Sequence, residues 1–135
     1  MAYNVIDIEG IGSTYAAKLE AHGIKTTGDL LQKAGTKAGR EVLAAGSKLP
    51  ESLILTWVNH ADLMRINGIA GQTAELLEAA GVDTVKELAT RNPANLHTKL
   101  VEVNNQFGLS GKVPSVEMLE EMIQSAKEME PRVFH

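Results

Sequence analysis

Gly10-Ile11-Gly12-Ser13-Thr14-Tyr15-Ala16-Ala17-Lys18-Leu19 returns 58 residues later as Gly68-Ile69-Ala70-Gly71-Gln72-Thr73-Ala74-Glu75-Leu76-Leu77. The register runs without a gap from Ile8/Ile66 to Leu31/Ala89, and 10 of its 24 pairs are identical, among them Gly10/Gly68, Leu19/Leu77, Gly23/Gly81 and Thr26/Thr84. An ungapped match of that length marks an internal repeat, and the fold follows from the repeated unit.

The unit's punctuation identifies it. A short apolar segment ends at Ile8 or Ile66, and a Gly-Ile-small turn follows that only small residues form so tightly. Ala16, Leu19 and Ile24, like Ala74, Leu77 and Val82, then recur at helical spacing. Gly23 or Gly81 stops that helix. The next opens at Thr26 or Thr84, a suitable N-cap, with Asp29 or Glu87 three residues on to complete a capping box. Each unit reads helix, hairpin, helix, turn, helix.

The remaining chain extends the same logic. Thr36 caps a helix over 36–45 stopped by Gly46, with Val42 and Leu43 as its buried face. Pro50 opens a central helix over 50–61 whose Leu53, Ile54, Trp57, Val58 and Ala61 form a broad apolar stripe. Residues 62–66 supply the first helix of the second motif, followed by 71–80 and 84–91. Asn92-Pro93 opens a helix lined by Leu96, Leu100, Val103 and Phe107. Gly108 to Pro114 reads as a loop, and Ser115 caps a last helix running to Glu130, striped by Val116, Leu119, Ile123 and Ala126 and broadened by Met118 and Met122. No stretch alternates like a strand. The expectation is an all-α protein of two related halves, 1–61 and 62–135, in one compact unit.

The repeated stretch resembles the helix-hairpin-helix family, whose usual form is Pro-Gly-Ile-Gly, then Ala and Leu on the second helix, then Ala-Gly-Ile-x-Thr. More widely, Asp62-Leu63-Met64-Arg65-Ile66-Asn67-Gly68-Ile69, Leu77-Glu78-Ala79-Ala80-Gly81-Val82-Asp83-Thr84-Val85 and Arg91-Asn92-Pro93-Ala94-Asn95-Leu96-His97 resemble the bacterial domain of unknown function 4332 family. The first resemblance implies paired motifs about a pseudo-twofold axis, the SAM-like or (HhH)2-type packing. The second implies a fold and no activity.

Composition narrows the function. At 135 residues and 44% hydrophobic, the chain buries a core without staples, and with no cysteine it has neither a disulfide framework nor a thiolate metal site. Met1-Ala2-Tyr3-Asn4-Val5 lacks the basic start of a signal peptide, and no apolar run reaches membrane-spanning length. A soluble, cytoplasmic protein is expected. His22, His60, His97 and His135 lie too far apart for a metal pair, so neither a metal nor a cofactor is expected. The net charge of −4 opposes a large phosphate-tracking surface. Much of the excess is local: residues 113–135 hold five glutamates against Lys127 and Arg132, whereas 32–48 hold Lys33, Lys37, Arg40 and Lys48 against Glu41.

The hairpins have a physical reason to hold phosphate: glycines expose N–H groups, and the following helix points its unsatisfied donors and positive dipole end the same way. In DNA-binding members of the helix-hairpin-helix family one backbone phosphate sits on Gly-x-Gly. That resemblance implies donors at Gly10, Gly12 and Ser13, then at Gly68, Ala70 and Gly71, assisted by Thr14, Lys18 and Gln72. Lys37 and Arg40, one turn apart, form an auxiliary basic patch that the acidic last helix could cover, either within the monomer or across a dimer. Departures are visible too: Glu9 and Asn67 replace the usual proline, Thr14 and Gln72 replace a lysine common in DNA binders, and Ala70 replaces a glycine. A glycosylase would need that lysine, and Asp29 belongs to a cap. The expectation is therefore non-enzymatic, weak, sequence-independent binding of nucleic acid. The alternative is a protein-interaction scaffold of the same fold, for which the methionines of the last helix offer an adaptable surface.

Overall fold

The structure is a computed structural model and describes residues 3–135; Met1 and Ala2, part of the stretch read for a signal peptide, lie outside it. A 3₁₀ turn at Val5–Asp7 precedes α1 (Ser13–Glu20), α2 (Thr27–Ala34), α3 (Lys37–Ser47), α4 (Glu51–Leu63), α5 (Gly71–Ala79), α6 (Val85–Leu88), α7 (Pro93–Phe107) and α8 (Val116–Lys127). The fold is all-α. Among the described residues there is no strand, only an isolated antiparallel bridge between Asn4 and Thr26.

Capping sets most helix starts. Side-chain oxygens of Thr26, Thr36, Thr84, Asn92 and Ser115 accept the N–H groups of Asp29, Gly39, Glu87, Asn95 and Met118 at 3.0–3.2 Å. Asp29 closes its box by accepting the Thr26 and Lys25 N–H groups at 3.0 and 3.1 Å. Those backbone donors, Thr26 first, hold its carboxyl below the usual 3.8.

The two copies of the repeated stretch take one conformation. Gly10 and Gly68 sit at φ 89° and 94°, left-handed values that L side chains rarely adopt. In each turn a main-chain bond of 3.1 Å closes the loop, Ile11 to Ile8 and Ile69 to Ile66. Past the next helix, Gly23 and Gly81 are again left-handed at 77° and 94°. Lys33 Nζ there donates to the His22 carbonyl at 3.2 Å, and Arg91 Nη2, the residue 58 positions on, donates to the Gly81 carbonyl at 2.9 Å. Cations at these helix ends also face the negative pole of the dipole.

Helix α4 is central. It packs against α2, α3 and α5, while α8 packs against α6 and α7 and α5 against α7. Ile54, Trp57, Val58 and Ala61 are buried, and the Tyr15 ring of α1 lies 5.0 Å from that of Trp57, tilted by 59°. Asp62, also buried, accepts the Val85 N–H at 2.8 Å and pairs with Arg65, so the end of α4 caps the start of α6. Beside it His60 Nε2 lies 3.2 Å from Glu78 Oε2.

Several expectations need correction. The first helix of the second motif is not a separate element at 62–66: α4 runs on to Leu63, so the boundary at 61/62 falls inside a continuous helix. Helix α3 does not stop at Gly46 but at Lys48, which takes the left-handed cap itself at φ 62°. Val42 is 74% exposed, because Arg40, Leu43 and Ser47 share the inward face and Val42 lies well round the helix from it. Phe107, the last residue of α7, is 60% exposed rather than part of its buried side. Helix α8 ends at Lys127, short of Glu130.

Candidate phosphate-binding hairpins

The first hairpin is anchored from below and open above. Ile8 and Ile11 are buried and grip the core, while Gly10, Gly12, Ser13, Thr14 and Lys18 are all exposed. No side chain caps α1, whose N-cap is Gly12 in extended conformation. A Cβ at Gly10 or Gly12 would meet nothing within 4 Å, so the loop faces solvent on its donor side. Thr14 and Lys18, four residues apart, share one helix face. A bare helix N-terminus with accessible glycines and one cation a turn further along can hold a single anion.

The second hairpin is built alike but placed differently. Ile66 and Ile69 are buried, and α5 again lacks a side-chain cap behind Ala70. Gly71, however, is buried: a Cβ there would overlap the Asp7 carbonyl and lie 3.4 Å from both the N and Cγ atoms of Glu9. Hairpin one is thus seated on the start of α5. Gly68, Ala70, Gly71 and Gln72 do come together in one cleft of about 650 Å³, but Asp7, Glu9 and Lys112 line it with them. Gln72 is engaged as well, its Oε1 accepting the Gly111 N–H at 3.3 Å. The carboxylates and the engaged Gln72 oxygen oppose an anion in this cleft, and the buried Gly71 has no open donor face of the kind Gly12 keeps.

The auxiliary patch does not form as expected. Lys37 is exposed, but Arg40 is 2% exposed, and its Nη1 donates to the carbonyls of Ala34 and Gly35 at 3.1 and 3.0 Å. Those carbonyls end α2, so the guanidinium neutralises a helix C-terminus instead of facing solvent. Nor does α8 cover this region, since it packs on α6 and α7. Sequence reasoning placed Arg40 outside because an arginine on an amphipathic helix ordinarily snorkels to water. It also missed the seat of hairpin two, for which Glu9 in place of proline was the one available signal.

Among the described residues no group of three metal-ligating side chains forms, and no helix is long and apolar enough to cross a membrane. The sequence profile described as Domain of unknown function (DUF4332) matches residues 9–129, nearly the whole chain. The chain belongs to the DUF4332 family. No curated protein and no solved structure matches it. The glycines of both hairpins, the capped helices after them and all of α8 lie inside the DUF4332 match, which starts at Glu9 itself.

Proposed function

We propose that this DUF4332 chain is a non-catalytic, cytoplasmic helix-hairpin-helix module of two related halves that holds nucleic-acid phosphate at its first hairpin, without reading base sequence. The observation that carries the reading is the contrast between the hairpins: in one, Gly10 and Gly12 open onto solvent before an uncapped helix, and in the other Gly71 lies under Asp7 and Glu9. On this reading hairpin one contacts the backbone and hairpin two, with Gly68, Ala70 and Gln72, positions it. A single phosphate contact at net charge −4 gives weak binding, with a dissociation constant on the order of 10⁻⁴ M or weaker at physiological salt.

The test is fluorescence anisotropy of labelled duplex and single-stranded DNA at low and near-physiological salt. Ser13→Glu separates binding from folding, because a carboxylate in the first turn of α1 favours the helix while repelling phosphate. Binding by the wild type with a logarithmic salt slope of about −1, lost in Ser13→Glu and kept in Gln72→Glu, supports the assignment. Loss in Gln72→Glu with binding kept in Ser13→Glu moves the contact to the cleft of hairpin two. A wild type that binds nothing at low salt removes it. A protein-interaction scaffold is the second reading, favoured by Val42, 74% exposed beside a groove of about 460 Å³ with His22, Lys33 and Leu43.

A further inference from the structure

Beyond α8 the chain crosses from the second repeat to the first. Arg65 Nη2 donates to the Glu130 carbonyl at 2.8 Å, the Phe134 N–H donates to the Gly35 carbonyl at 2.8 Å, and Arg40 Nη2 donates to the Phe134 carbonyl at 2.7 Å. All three bonds use the main chain of the crossing segment. Val133 packs on the core, but the side chains of Arg132, Phe134 and His135 are exposed, Phe134 by 52%. The segment passes over Gly35, where a Cβ would overlap the Arg132 carbonyl. Under it lies Arg40, a buried cation with no carboxylate paired to it among the described residues.

We propose that residues 130–134 are an autoinhibitory clasp over a second phosphate-backbone contact made by Lys37 and Arg40. This rests on the nucleic-acid reading above for its ligand, but not on hairpin one for its site. Lys37 and Arg40 stand one turn apart on α3 and line one cleft of about 400 Å³ with Ser52, Leu55, Glu51 and His135. Glu51 sets one negative charge against the two cations, and His135 forms part of the cleft wall while the clasp is shut. Release frees Arg40 Nη2, whereas Nη1 stays on the Ala34 and Gly35 carbonyls and keeps the guanidinium aimed. The fork is then a directional, always-charged donor of the kind that suits phosphate. A segment without regular structure, fastened by one main-chain bond and two arginine side-chain bonds, belongs to the part of a fold that opens first.

The experiment uses the full chain with Phe134→Pro and Phe134→Ala. Proline removes the N–H that binds the Gly35 carbonyl; alanine keeps it, and the half-exposed side chain leaves the core intact in both. Trypsin cleavage after Arg132, followed by mass spectrometry, reports opening, and anisotropy of a labelled 20-base-pair duplex reports binding. Phe134→Pro is expected to be cut about tenfold faster than wild type, while Phe134→Ala is cut at the wild-type rate. The proline variant should bind about fivefold or more tightly, with a salt slope steeper by about 1 to 2, and Lys37→Gln added to it should cancel the gain. An opened variant that binds no better than wild type overturns the clasp, as does a proline variant cut at the wild-type rate. Binding by Phe134→Pro alone supports the clasp and sinks hairpin one. Binding by both chains equally, abolished by Ser13→Glu, does the reverse, and no binding by either overturns both.

Discussion

The internal repeat supplies its own control for one pair of substitutions, Gly71→Ala and Gly12→Ala. Gly71 lies where hairpin one meets α5, and a Cβ there would run into the Asp7 carbonyl with Glu9 close behind. Overpacking against main chain costs about 1–3 kcal/mol, and a glycine-to-alanine exchange at a helix start returns about 0.5 kcal/mol of propensity. The net expectation is a loss of about 0.5–2.5 kcal/mol. Gly12 has open space where its Cβ would go, φ −90° is ordinary for alanine, and its counterpart Ala70 already carries the methyl group in the same conformation. The lost N-cap preference and the gain from a stiffer unfolded chain offset each other, leaving a change within about 0.5 kcal/mol. Equilibrium urea unfolding followed by the fluorescence of Trp57, buried and packed against the tilted Tyr15 ring, measures both. A Gly71→Ala protein as stable as wild type, or a Gly12→Ala protein that loses more, would refute the seating of hairpin one on α5.

Asp62→Ala removes the acceptor of the Val85 N–H and the partner of Arg65, and is expected to cost about 3 kcal/mol by the same urea assay, with Asp62→Asn losing less because the amide oxygen still caps α6; a loss under about 1 kcal/mol for alanine would show that the cap is dispensable. Asp29 has a carboxyl pKa depressed by the Thr26 and Lys25 N–H groups, so its contribution is present above its unfolded value of about 3.8 and disappears as pH falls through the lower folded value. Asp29→Asn should therefore destabilise at pH 7 and converge on wild type towards pH 2, and a stability gap that stays constant between those pH values contradicts this linkage.

The parts of the fold that local chemistry determines were legible in the sequence. Thr26, Thr36, Thr84, Asn92 and Ser115 cap where their side chains and following residues said they would, because a cap is decided within four residues. The left-handed glycines of both hairpins were legible for the same reason. Partners far along the chain were not. Asp62 meets Val85 across 23 residues and Arg40 meets Phe134 across 94, and helical periodicity reports which face is apolar without naming what a polar group on that face will find. Arg40 was assigned to the surface on residue type alone, and Val42 to the core one position away from the true inward stripe. The tight glycine turn of hairpin one was readable; the seating of hairpin two under Asp7 and Glu9 needed the tertiary arrangement.

Helix α4 closes the first repeat and, through its last turn, opens the second. Symmetry of sequence and symmetry of construction are therefore out of phase: the period is 58 residues, yet no cut at the midpoint yields two whole pieces. A stack of modular repeats can lose or gain a unit at its joints, whereas here the joint is itself the beam that α2, α3 and α5 rest on. Both hairpins hang on that one beam, and one copy facing solvent while the other serves as its seat is a division of labour that such shared framing permits.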